Sequence, residues 1–187
     1  MSKVKNNPIT NHTSGMLGDT VVFRKVRGKM QMANRPSFTN APTEKQSAVK
    51  LRFQEAAQYA KQQLAEKESC LLYESGITDQ KHTAHVVAMS DYLKAPKVHY
   101  IETEDYQGNV GDTILIKATD DFRVVTVKVS IIDKDGNPLE KGEASPGEGI
   151  NVWKYTASVA NNSLEGTTIK AIAFDRPGNK GTREVIL

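Results

Sequence analysis

Four histidines, one cysteine and a scatter of aspartates are what this 187-residue chain offers for chemistry. His82 and His85 stand three apart in a stretch that reads as helix, so they could share a face. Two such ligands do not make a metal site, which needs a third and an open position. His12 and His99 have no visible partners in the sequence. Asp133-Lys134-Asp135-Gly136-Asn137 has the outline of a calcium loop. Pro138, however, stands where the loop needs glycine, and Ala144 where it needs a bidentate acid. Asp-Gly between two strands fits a hairpin turn better. Asp120, Asp121 and Asp175 fall at turns and could gather at one pole of a β-domain and hold a cation.

Nucleophilic and acid–base chemistry find less support. Cys70 is the only cysteine. It lies in the apolar run Cys70-Leu71-Leu72-Tyr73, which suits a buried structural thiol rather than a nucleophile. Gly15-Met16-Leu17-Gly18 lacks the Gly-Lys-Ser/Thr ending of a phosphate loop. No serine sits in a Gly-x-Ser-x-Gly elbow, and no carboxylate pair has a spacing that argues for proton transfer. The expectation is therefore a non-enzymatic protein with no catalytic residue, no cofactor and no assigned metal.

The strongest binding feature is basic. Arg24, Lys25, Arg27 and Lys29 surround one turn, with Phe23 and Met30 beside them and Arg35 just beyond, and these five cations form the candidate docking surface. Residues 1–52 carry ten basic side chains against Asp19 and Glu44, a net +8, while residues 97–187 carry 11 basic and 14 acidic ones, a net −3. A basic head on a mildly acidic body suits an anionic partner, either an acidic protein surface or a nucleic-acid backbone. A single aromatic among these cations is thin for a base-stacking platform.

Positioning those residues takes two kinds of element. Residues 1–18 read as an irregular arm and 19–34 as a β-hairpin turning at Arg27-Gly28. Thr43-Glu44-Lys45-Gln46 is a capping-box pattern. Beyond it Val49, Phe53, Ala56, Ala57, Ala60 and Leu64 recur at helical spacing. A shorter helical piece around Cys70–Tyr73 stops at Gly76, and a third helix spans 79–94 with Ala84, Val87, Ala88 and Leu93 available for burial. Ala95-Pro96 ends it. From Lys97 the period becomes two, with strands near 98–103, 112–118, 123–132, 139–144, 151–158, 167–174 and 182–187. Seven short strands separated by turns are the signature of an immunoglobulin-like sandwich, with Trp153 as its aromatic anchor and no disulfide. The expected class is α+β, with a basic hairpin and helical domain over 1–96 and a β-sandwich of about seven strands over 97–187.

The segment Gly15-x-x-Gly18-Asp19-x-Val21-x-Phe23-Arg24-x-x-x-Gly28-Lys29, followed by Pro42-Thr43-x-x-Gln46, resembles short bacterial proteins of unknown function that have a basic hairpin head, a helical middle and an immunoglobulin-like tail. The motif Ala173-x-Asp175-x-x-Gly178-Asn179 is similar to the last hairpin of many bacterial immunoglobulin-like modules. Such proteins look like cargo or components of phage-tail-like contractile injection systems. The resemblance implies tube or other structural subunits as partners and brings no catalytic or cofactor residue with it.

The N-terminus shows no apolar run of the kind a signal peptide needs, and no stretch is long enough to span a membrane. Synthesis in the cytoplasm and release by lysis or firing inside a particle would reconcile an immunoglobulin-like tail with those absences. A lectin-like or adhesive module, or a nucleic-acid-binding protein using the basic head, are the alternatives.

Overall fold

The computed structural model describes residues 2–3, 13–26, 28–35 and 41–187. The chain divides into two compact units, Met1–Gln46 and Ser47–Leu187.

In the first unit, strands β1 (Ser2–Lys3), β2 (Gly15–Leu17), β3 (Val21–Val26) and β4 (Lys29–Asn34) form an antiparallel sheet in the order β1-β4-β3-β2. The expected hairpin is its centre. Val26 pairs with Lys29 across a two-residue connection, and Gly28 has φ 74°, a left-handed conformation that such tight hairpin turns require. Gly15–Leu17, expected in an irregular arm, is instead a strand paired with Val21–Phe23. Its partner is the next strand, only four to eight residues on, but three residues give too little alternation to announce a strand.

The described residues form three helices, α1 (Glu44–Ala65), α2 (Lys67–Glu74) and α3 (Ala84–Leu93). The capping box forms as expected. The Gln46 side chain accepts from Thr43 N at 2.9 Å, and Gln46 N donates to Thr43 Oγ1 at 3.3 Å. Burial along α1 departs from its apolar periodicity. Ala56 and Ala60 are buried, but Val49 and Phe53 are 70% and 56% exposed. Burial begins only at Ala56, because the apolar cluster of Ala60, Tyr73, Val87 and Ala88 meets α1 along its second half. α3 starts at Ala84 rather than near 79, since the Thr83 side chain accepts from Val86 N and caps it there. His82 therefore stands before the helix and His85 in its first turn, so the two do not share a helical face.

All seven expected C-terminal strands are present: β5 (Lys97–Glu102), β6 (Thr113–Thr119), β7 (Val124–Ile132), β8 (Pro138–Pro146), β9 (Val152–Thr156), β10 (Thr168–Asp175) and β11 (Lys180–Ile186). They pair antiparallel in the order β11-β10-β7-β8-β9-β6-β5. β8 serves two neighbours, pairing with β7 up to Ala144 and with β9 at Ser145 and Pro146.

Period-two alternation chooses the inward face. Ile114, Ile116, Val127, Val129, Ile131, Ile169, Ala171 and Ala173 are at most 1% exposed and form one core with Tyr106 and Tyr155. Val125 shares parity with Val127 yet is 51% exposed. A bulge opposite Phe174 and Asp175 shifts the register there, so Val124 takes the inward place. Trp153 is only partly buried at the edge of the core, and Tyr155 is its central aromatic from β9. Tyr155 lies so close over β8 that a Cβ on Gly142 would come within 2.9 Å of its ring.

The ends of the strand order meet. β11 lies against β5, so the sheet curls nearly to a barrel. At that seam a Cβ on Gly181 would fall 1.9 Å from the Pro96 carbonyl oxygen, a backbone atom that cannot rotate away. The division between units falls at Gln46/Ser47, not after Pro96, because the turns of the β-structure are fastened to α2 and α3. Gly181→Ala is expected to destabilise the chain by about 3 kcal/mol, the range of overpacked cores. Gly178→Ala, with open space at its Cβ, should cost only the strain of its left-handed backbone, about 1 kcal/mol. Urea unfolding of the two variants measures the difference.

Candidate functional site

One pole of the β-structure is built from two turns, 120–123 between β6 and β7 and 176–179 between β10 and β11. In the second turn Asp175 Oδ1 accepts from Asn179 N at 2.6 Å, and Asp175 Oδ2 from the Asn179 amide at 2.7 Å. That fixes the Asn179 side chain so that Nδ2 also points at the carbonyls of Asp91 and Tyr92, 3.3 and 3.1 Å away. These belong to the last turn of α3, whose carbonyls have no intrahelical donor. A side chain from the β-structure thus caps α3. Arg176, in the same turn, donates to Gln63 Oε1 at 3.2 Å and to Ser69 Oγ at 2.5 Å, tying in α1 and α2.

In the other turn, Asp120 Oδ2 accepts from Phe122 N and Arg123 N at 3.2 and 3.1 Å. The bend sends Phe122 among the helices, where it stacks on Tyr73 with ring centres 4.9 Å apart. Gly76 makes room for it, since a Cβ there would sit 2.7 Å from the Phe122 ring. Asp121 points elsewhere. Its carboxylate accepts from Lys81 and Lys94, each at 2.6 Å, and from Ser90 at 2.5 Å. Burial opposes its charge, but the bonds from Lys81, Lys94 and Ser90 more than offset this, and its pKa falls to about 2.

A second acidic group lies at the same pole without such compensation. Asp91, Asp120 and Asp175 each place one carboxylate oxygen within 4.8 Å of the others. Asp91 is fully buried and Asp175 is 5% exposed. Asp91 Oδ2 accepts from Tyr73 Oη at 2.7 Å, and Tyr73 in turn contacts Tyr59 Oη at 2.8 Å. No group among the described residues donates to Oδ1 of Asp91 or to Oδ1 of Asp120, both of which are buried. Among the described residues no lysine or arginine side chain bonds to any of the three carboxylates. Burial pushes the Asp91 carboxyl up to about 7; the Tyr73 hydroxyl opposes this, and the charges of Asp120 and Asp175, together with the approach of the Asp120 carboxyl within hydrogen-bonding reach, add to it. Burial likewise raises Asp175 against the pull of Asn179.

On the sequence alone, Asp120, Asp121 and Asp175 could gather at one pole. The structure keeps the first and last, turns Asp121 out to the lysines, and supplies Asp91 from α3. Asp91 could have been suspected from its place on the apolar stripe with Ala84, Val87 and Ala88, where an acid is costly unless it has a partner. The arrangement offers three hard oxygen donors and concentrated negative charge.

The other candidates separate. Asp133 organises the β7–β8 turn, with Oδ1 accepting from Asp135 N and Asn137 N at 2.9 and 2.8 Å, as a hairpin requires. Cys70 is half-buried, not buried, with its thiol 3.6 Å from Glu74. In the N-terminal sheet the basic residues divide. Strand alternation and register place Arg24 and Lys29 on one face with Gln31, and Lys25 on the other with Met30. Arg24, Lys25 and Lys29 are exposed, and Arg35 pairs with Asp19 at 3.1 Å. Arg27 lies outside the described residues. Among the described residues, no helix is long and apolar enough to cross a membrane.

The Asp121 cluster makes a pH-dependent contribution. Its pKa rises from about 2 folded to about 3.9 unfolded, so the stabilisation is present above about pH 4 and is lost as pH falls toward 2. Urea unfolding of the parent and Asp121→Asn at pH 6 should differ by about 2 kcal/mol, a gap that narrows steadily below pH 4.

No protein-family model and no curated protein matches the chain. A solved structure, that of a tetra-tandem repeat in the extending region of a large adhesion protein, is similar at 21% identity and a TM-score of 0.32. The match covers 49% of this chain and 22% of that one, a likeness too slight to carry any inference about fold or function.

Proposed function

We propose that the chain is a non-enzymatic binding or structural protein, a cargo or component of a phage-tail-like contractile injection system, whose basic N-terminal sheet docks on an anionic surface of the particle. The observation that carries this reading is the sheet itself. It belongs to a compact unit separate from the rest of the chain, and it presents Arg24, Lys25 and Lys29 to solvent. Cations on both faces suit insertion between acidic surfaces better than laying one face on a duplex.

The C-terminal strands are read as an immunoglobulin-like sandwich. The order supports this, since β5, β6 and β9 form one group, β11, β10 and β7 the other, and β8 crosses between them. The polar groups at the pole of the β-structure spend their bonds on joining elements, as a structural role requires. The particle assignment draws on the resemblance carried by Gly15 to Lys29 and Pro42 to Gln46.

Full-length protein mixed with purified tail-like particles should co-sediment with them at low salt. Lys25→Gln with Lys29→Gln should weaken the association at least tenfold without changing the unfolding temperature. Failure to co-sediment, or indifference to the double substitution, would overturn the docking role. A gel shift on duplex DNA lost in the same variant would instead assign the sheet to nucleic acid.

A further inference from the structure

We infer that Asp91, Asp120 and Asp175 form a binding site for a hard divalent cation of the calcium class, which pins α3 to both turns of the β-structure. Three elements far apart in sequence each deliver one carboxylate, and the three oxygens lie within 4.8 Å of one another. Oxygen donors alone, with neither imidazole nor thiolate, select calcium-like over zinc-like ions.

The independent observation is the state of the oxygens. Asp91 is wholly buried, and its Oδ1 accepts no hydrogen bond from the described residues; neither does the buried Oδ1 of Asp120. A buried carboxylate oxygen without a donor is costly, and the same pole shows how the chain avoids that cost elsewhere. Asp121, next in sequence to Asp120, receives two lysines and a serine. The three clustered aspartates receive a tyrosine hydroxyl, backbone amides and one asparagine, and no cation. The remaining oxygens of Asp91 and Asp120 are fixed by those bonds, which leaves their Oδ1 atoms preorganised for a ligand. A proton shared between Asp91 and Asp120 is the rival way of satisfying them.

The test uses the full chain, stripped with EDTA and dialysed. Calcium chloride at 1 mM should raise the unfolding temperature by about 5 °C, the scale of a ligand at a hundred times its Kd on a protein of this size. Terbium should show saturable luminescence on tyrosine excitation, since Tyr73 bonds directly to Asp91, and calcium should displace it. Asp120→Asn, which keeps an oxygen for the amides of Phe122 and Arg123, should lose both responses, while Asp135→Asn at the exposed β7–β8 turn should keep them. Absence of a thermal shift and of terbium luminescence in the parent would overturn the site and leave the shared proton. An undiminished response in Asp120→Asn would overturn it equally. Should that variant fail to fold, calorimetric titration of the parent with calcium decides, a flat isotherm refuting the site.

Discussion

The Asn179 side chain is the interaction on which the larger unit depends. Asp175 holds it from one side, and it gives its amide to the terminal carbonyls of α3 on the other. A helix end without donors is unfavourable when it is covered, so α3 can lie against the β-structure only because the turn supplies them. Arg176 and Phe122 extend the attachment to α1 and α2 through hydrogen bonds and ring stacking. The helices and strands therefore form one compact unit despite the change in periodicity at Pro96.

Charge at this pole is handled in two ways within one residue of chain. Asp121 is neutralised by Lys81 and Lys94 and stays ionised far into acid. Asp120 joins two further aspartates with no basic side chain bonded to them among the described residues, and the most buried of them, Asp91, resists ionisation up to about neutral pH. Neighbouring side chains in a turn leave in different directions, so adjacent aspartates can have opposite electrostatic fates.

Much of the β-structure is legible because alternation is a local property. Ile114 and Ile116, or Ile169, Ala171 and Ala173, announce their inward face within a few residues. Val125 misleads because its exposure is set by a bulge against β10, a fact about a partner fifty residues away. The capping box at Thr43 and Gln46 is equally local and forms as read. The apolar spacing of Val49 and Phe53 is real, yet periodicity cannot say whether a partner exists to cover it. The site divides along the same line. Asp120 and Asp175 sit at recognisable turns, whereas Asp91 is one acid among helical residues and gains its meaning only from what folds against it. Asp175-x-x-Gly178-Asn179 is readable as a hairpin motif, but its role as the cap of a helix is not contained in the motif.

The capping of α3 by Asn179 has a consequence for biosynthesis. The contact with the Lys94 carbonyl spans 85 residues of chain, so a ribosome completes α3 several seconds, at about 5–20 residues per second, before the residue that finishes it is made. During that interval the acid at Asp91 and the apolar face of the helices lack their final cover. The unit reaches its native arrangement only when nearly the last strand has emerged, and a nascent chain shortened by its final hairpin would expose the one helix that the completed protein buries most thoroughly.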